Sequence, residues 1–181
     1  MQLSVLRELR QPLGSISEFD LEDPRVDLEG TELRDVRGDV RLLRTDRGLL
    51  ARVRLTATLP EQCARCLKDA AVAVDIEFEE EYVPAYDPRT GARIHVGEDE
   101  EVFRIGPDFR LDLREAVRQY ILISEPAKPL CTPACRGLCP RCGADLNLGD
   151  CRCQPETDAR WDALAGLEPA RGGGPDKEGN L

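Results

Sequence analysis

Apolar and polar positions alternate with a period of two along three consecutive runs between Val36 and Tyr82. In the first run Val36, Val40 and Leu42 alternate with Arg37, Asp39 and Arg41. In the second, Leu49, Ala51, Val53, Leu55, Ala57 and Leu59 occupy every other position. The third sets Ala70, Val72, Val74, Ile76 and Phe78 on one face, with Asp75, Glu77 and Glu79 on the other. Three such runs in succession predict an antiparallel meander with one buried face. "RTDRG" marks its first turn. Folding its second turn symmetrically about Cys63 to Cys66 predicts Arg52 opposite Glu77 and Arg54 opposite Asp75, as a solvated charged face.

The flanks carry weaker patterns. The first ten residues suggest one short strand, and the stretch "SEFDLEDPRVDLEGTELRD" reads as turn and loop. Residues 84–106 read as irregular, with one edge strand at 102–105. A helix is predicted to begin at Asp112, which forms a capping-box-like pair with Glu115. Leu113, Ala116, Val117, Tyr120 and Ile121 then fall on one helical stripe, and Pro126 ends it. A second, short amphipathic helix is predicted over 158–167, with Trp161 and Leu164 on one side. The expected class is α+β: a small antiparallel β-meander covered by one or two helices, followed by a cysteine-rich, zinc-ribbon-like module. The expected division is a β-rich domain with its covering helix at 1–125, the cysteine-rich module at 126–155, the helix at 156–167 and a disordered tail at 168–181.

Composition narrows the picture in two ways. Aromatic residues make up only 4% of the 181, so a core must come from Val, Leu, Ile and Ala. The formal charge of −10 favours a basic protein partner over a phosphate backbone, unless a local basic patch intervenes. "MQLSVLRELRQPLG" has no long apolar run, and no stretch has the length of a membrane span. A cytoplasmic location is therefore expected. Thiols stay reduced there, so cysteines are expected to bind metal before they form disulfides.

Eight cysteines are present, six of them between 131 and 153. "CARC" at 63–66 and "CPRCG" at 139–142 have the C-x-x-C spacing of a knuckle, whose tight turn aims both sulfurs at one ion. Gly143 and Pro140 suit such a turn. Tetrahedral zinc takes four ligands in a structural site, so the eight thiolates divide naturally in two. The eight-residue loop "GADLNLGD" allows Cys139 and Cys142 to share an ion with Cys151 and Cys153. Cys131 and Cys135 would then join Cys63 and Cys66, fastening the C-terminal segment to the second hairpin. One C-terminal site using four of the six, with the others free, is an equally economical picture. Either way, one or two structural Zn2+ ions are expected, because Leu130, Leu138, Leu146 and Leu148 are nearly all the large apolar side chains from 126 to 155. A thiol-based redox or metal-sensing protein is the competing reading, although "CARC" lies in a hairpin connection and not in a βαβ unit.

No catalytic constellation emerges. His95 is the single histidine, no serine sits in a nucleophile elbow, and "RGGGP" has no helix behind it, so neither an enzyme nor a small-molecule site is expected. From Arg34 to Arg54 seven arginines face three aspartates. Arg37, Arg41, Arg52 and Arg54 could thus offer a basic strip to RNA phosphates. Pairing of these arginines with glutamates of the third run is the favoured reading.

The order of "EQCARCL", "EFEEEYVP", "LDLREAVRQYILISEPAKPLC", "CRGLCPRCGADLNLGDCRC" and "DARWDALAGL" resembles the bacterial YceD family across roughly residues 30–167. That resemblance implies a role in accumulation of large-subunit ribosomal RNA, with relatives in plant plastids. Within the family the gene commonly neighbours that of a small zinc-ribbon protein of the large subunit. It further implies a non-enzymatic ribosome-biogenesis factor whose partner is a ribosomal protein or precursor rRNA. Family members differ in cysteine content, which implies that metal is a structural device of the cysteine-rich members. The family supplies no catalytic residues to carry over.

Overall fold

Alternating side chains become four long strands in the computed structural model, which describes residues 1–94, 102–153 and 160. Strands β2 (Ile16–Leu28), β3 (Thr31–Arg44), β4 (Leu49–Gln62) and β5 (Asp69–Pro84) are antiparallel neighbours in that order. A short strand β6 (Phe103–Ile105) adds to the outer edge of β5, parallel to it. Strands β1 (Gln2–Ser4) and β7 (Arg110–Asp112) pair separately. Between β1 and β2 lies the four-residue helix α1 (Leu6–Leu9), and α2 (Arg114–Ser124) follows β7.

The meander thus has one more long strand than the alternation predicts, and the polar stretch from Ser17 to Asp35 is strand, not loop. Its pattern is hard to read because the inward parity changes midway. Phe19 and Leu21 are half-buried on one parity, whereas Val26 and Leu28 are buried on the other. Pro24 marks the change, at an edge strand where a missing N–H is tolerated. In β3 the register with β4 shifts between Arg34 and Arg37, and Asp35 has φ 50°, so Leu33 and Val36 both turn inward. Glu29 and Gly30, with φ 54° and 101°, form a two-residue hairpin turn whose twist matches the strands.

On β4 all six alternate apolar residues from Leu49 to Leu59 are buried. Gly38 continues the inward parity of β3, where a Cβ would lie 2.0 Å from the Arg54 carbonyl oxygen. Helix α2 covers this face through Leu113, Ala116, Val117 and Ile121, all fully buried, while Tyr120 stacks on Phe78 at 4.4 Å. Burial of each large aliphatic side chain contributes about 1.5–3 kcal/mol. The expected capping box does not form. Leu113 holds the N-cap position, and Asp112 ends β7 and accepts the Arg114 N–H at 3.0 Å. Glu115 pairs forward with Arg118 at 2.7 Å. The helix expected over 158–167 and the tail lie outside the described residues apart from 160, as does His95.

The second hairpin is offset from the symmetric fold. Gln62 and Asp69 form its last pair, so Cys63 to Lys68 make a six-residue connection. Arg52 therefore opposes Glu79 and Arg54 opposes Glu77, each two residues beyond the expected partner. A slip of two leaves every side chain on its own face.

Candidate metal centres

The six-residue connection is a knuckle rather than a simple turn. The Cys63 N–H donates to the Lys68 carbonyl at 2.8 Å, and the Leu67 N–H donates to the Cys63 carbonyl at 3.0 Å. Backbone N–H groups of Arg65 and Cys66 converge on the Cys63 sulfur. The second knuckle repeats this pattern. There the Cys139 N–H donates to Ala144 at 2.8 Å, the Gly143 N–H donates to Cys139 at 2.9 Å, and N–H groups of Arg141 and Cys142 face the Cys139 sulfur. In both, the residue after the second cysteine is left-handed: Leu67 at φ 59° and Gly143 at φ 71°. Only the second knuckle places glycine where that conformation is free of a Cβ penalty.

Each knuckle is completed by two later cysteines. Cys63 and Cys66 meet Cys131 and Cys135; Cys139 and Cys142 meet Cys151 and Cys153. Within each group the sulfurs lie within 4.8 Å of one another. Cys63 and Cys135 are 3.7 Å apart, and Cys66 and Cys131 are 3.5 Å apart. A tetrahedral ion bonded to thiolates at about 2.3 Å requires sulfurs about 3.8 Å apart, whereas a disulfide requires about 2.05 Å. All eight are free thiols with the spacing of a four-ligand site, and either group could hold a metal ion. The grouping is the two-site division, with no cysteine left over.

The first group joins distant parts of the chain. Backbone bonds stitch 129–138 to the β4–β5 connection: Ala64 N–H to Pro129 at 2.8 Å, and Leu138 N–H to Arg65 at 3.1 Å. Arg65 Nη1 also donates to the Cys135 carbonyl at 2.7 Å. Gly137, at φ 77°, lies against this backbone, where a Cβ would sit 2.9 Å from the Arg65 oxygen. The two groups are themselves linked. Lys68 pairs with Asp145 at 2.6 Å, and the Asn147 amide accepts the Arg136 N–H at 2.7 Å while its Nδ2 faces the Cys135 sulfur at 3.6 Å.

The thiols are electrostatically unequal. The Cys131 N–H, then those of Cys66 and Arg65, bring Cys63 down to about 6. N–H groups of Cys142 and Arg141, with the Cys151 side chain, do the same for Cys139. Their crowded neighbours go the other way: hydrogen bonding to Cys66 pushes Cys131 up to about 12, and bonding to Cys142 pushes Cys153 up to about 12. Four sulfurs this close cannot all ionise without a cation among them, whereas a divalent ion favours all four thiolates. The groups also differ in shelter. Cys63, Cys66 and Cys135 are buried, whereas Cys142 is exposed and Cys151 and Cys153 are half-buried.

The arginine strip lies on the solvent-facing side of the sheet, across it from α2. Arg52 pairs with Glu79 at 2.5 Å, Arg54 with Glu77 at 3.1 Å and Arg41 with Glu18 at 3.9 Å. Arg37 has no ion pair among the described residues. Lys68, Asp145 and Asn147 were not legible as site residues, because their roles depend on two turns meeting in space. Leu67 had a signal: it stands after "CARC" where Gly143 stands after "CPRC".

Residues 51–168 match the YceD family, described as large ribosomal RNA subunit accumulation proteins. Uncharacterized proteins of Mycobacterium tuberculosis and Mycobacterium bovis are each 30% identical over 126 residues, covering 70% of this chain and 58% of theirs. The chain thus spans a little over half the length of these relatives. A chloroplast protein of Zea mays, named as the large ribosomal RNA subunit accumulation protein YCED homolog 1, is 33% identical over 66 residues, which is 36% of this chain and 20% of the maize protein. No solved structure matches.

Proposed function

The chain belongs to the YceD family, and on that premise we propose that it is a non-enzymatic factor in large-ribosomal-subunit assembly, built on two structural zinc ions. It supports rRNA accumulation through contacts with a ribosomal protein or precursor rRNA in the cytoplasm, and its cysteine-rich segment is a zinc-ribbon-like module. The observation that carries the zinc reading is the assembly of two groups of four thiols at tetrahedral spacing. With four protein thiolates on each ion, no coordination position remains for a substrate or activated water, which supports a structural use over a catalytic one. Among the described residues no helix is long and apolar enough to cross a membrane.

In this reading Cys63, Cys66, Cys131 and Cys135 hold one ion and Cys139, Cys142, Cys151 and Cys153 the other. The first clamps the C-terminal segment to the sheet; the second orders the knuckle docked on it. Native mass spectrometry of protein purified without added metal is expected to show two zinc ions per chain. Metal-free protein carrying intramolecular disulfides would instead favour a thiol-based redox or metal sensor, a reading that the exposed Cys142 would suit. Depletion in growing cells is expected to lower mature large-subunit rRNA relative to small-subunit rRNA. An unchanged ratio would remove the assembly role.

A further inference from the structure

The strand register lays out the solvent-facing side of β2 to β5 as a grid of rows. At one end Ile16, Leu43 and Leu50 are neighbours across three strands. The next row is Glu18, Arg41, Arg52 and Glu79. Asp20, Asp39, Arg54 and Glu77 follow, then Glu22, Arg37, Thr56 and Asp75. Helix α2 covers the other side of the sheet, and the charged members of these rows are exposed.

Three properties set this face apart from an ordinary solvated surface. The three charged rows hold seven carboxylates against four guanidiniums, and three of the four arginines are already paired with flanking glutamates. Asp20, Glu22, Asp39 and Asp75 make no ion pair among the described residues. Asp20 and Asp39 stand directly opposite each other, a like-charge pairing that destabilises a sheet. Finally, Ile16, Leu43 and Leu50, rimmed by Arg41, Arg52 and Glu79, line a shallow depression of about 150 Å³. Ile16 is 47% exposed there, beside Leu43 and Leu50 on the neighbouring strands.

We propose that this face docks a basic segment of a partner protein, whose lysine or arginine side chains neutralise the carboxylates around Asp20, Glu22 and Asp39 while an apolar side chain enters the depression at Ile16, Leu43 and Leu50. The inference rests on the reading of the protein as a non-catalytic assembly factor, and selects its protein-binding route. A phosphate backbone fits the same face poorly. It would meet the excess carboxylates within about one Debye length of 8 Å, and would have to displace existing ion pairs to reach Arg41, Arg52 or Arg54, which leaves it Arg37 alone, between Glu22 and Thr56 in the register.

The full zinc-loaded chain can be titrated with a short synthetic Lys/Arg-rich peptide ending in leucines, and separately with a single-stranded RNA of similar length. Peptide binding that weakens with salt is expected. Asp20→Asn, Glu22→Gln, Asp39→Asn and Asp75→Asn combined should weaken it about tenfold or more. The matched set Glu29→Gln, Asp46→Asn, Asp108→Asn and Glu125→Gln, which removes equal charge elsewhere, should change it less than about twofold. Ile16→Ser should weaken it at high salt, where the apolar contact dominates. Both charge variants should keep the zinc content of the parent protein and melt no lower than it, the docking-face set slightly higher because it removes the Asp20–Asp39 repulsion, so that weakened peptide binding reports the docking face and not unfolding. The proposal is overturned if the peptide does not bind, if both charge sets weaken it equally, or if RNA binds instead and Arg37→Glu with Arg54→Glu abolishes that binding.

Discussion

The sheet and the cysteine-rich segment are adjacent but are held by different forces. Under the sheet, one continuous cluster of buried side chains runs from Val5 to Ile121 and draws on every long strand and on both helices. Around the first knuckle the buried cluster is Cys63, Cys66, Ala70 and Cys135, with Leu130 and Leu138 packed at its edge. Hydrophobic burial scales with apolar area, so the first region can order itself and the second cannot. Sulfur replaces carbon where the chain lacks apolar mass. The contrast teaches that one connection can serve both regions: Ala70 of the β4–β5 hairpin packs with Cys63, Cys66 and Cys135, whose thiols are grouped with Cys131 so that they could hold an ion.

The largest effect expected from separating them is metal removal. Chelation should abolish amide protection over 129–153, where binding contributes on the order of 10 kcal/mol, and leave β2 to β5 protected. Hydrogen exchange before and after chelation measures this, and loss of protection in both regions together would show that the sheet also depends on the ion. Core truncation makes the converse cut. Leu55→Ala, at a fully buried position on β4, should cost about 2–5 kcal/mol in urea unfolding without changing the zinc stoichiometry, whereas Cys151→Ser should remove one ion and hardly move the urea midpoint of the sheet.

Acid should separate the regions in sequence. Partial burial raises Asp112, but hydrogen bonds from Arg114 and Gln2 outweigh it and hold the carboxyl at about 2, below its ordinary value. A depressed carboxyl contributes stability that is fully present above its unfolded value near 4 and is lost as pH falls through about 2. Metal thiolates protonate at higher pH than that. Circular dichroism with a zinc indicator should therefore record zinc release first, then a loss of sheet stability between about pH 4 and pH 2, of which Asp112→Asn removes about 1 kcal/mol after solvent screening. A single transition would contradict the order. The smallest effect concerns the knuckle itself: Leu67→Gly should strengthen the first site by at most about 1 kcal/mol, because glycine accepts the left-handed backbone that leucine resists. Gly143→Ala should weaken the second by a similar amount, and competition with a zinc chelator reads both.

How far the chain could be read in advance differed along the same line. Strands β3, β4 and β5 were legible because Val40, Val53 and Ile76 alternate strictly with charges, and α2 because Ala116, Val117 and Ile121 keep helical spacing. Strand β2 was not, since its inward parity changes at Pro24 and an unbroken alternation never develops. The capping box failed because Asp112 is occupied as the last residue of β7, paired with Gln2 across a sheet that joins residues far apart in sequence. The knuckles were legible from spacing alone, because C-x-x-C is a local geometric demand.

By itself the sequence determined the local geometry: which face of each strand is apolar, where the knuckles bend, and that residues 126–153 carry too little hydrophobic mass to order themselves. Only the tertiary structure decided that Cys131 and Cys135 return to the β4–β5 connection, that Arg52 opposes Glu79, and that Asp20 faces Asp39 across a strand pair. The physical reason is range. Alternation, turns and paired cysteines act over a few residues, whereas shared ligands and strand register depend on chain closure over many, which is settled only when the whole sheet has packed.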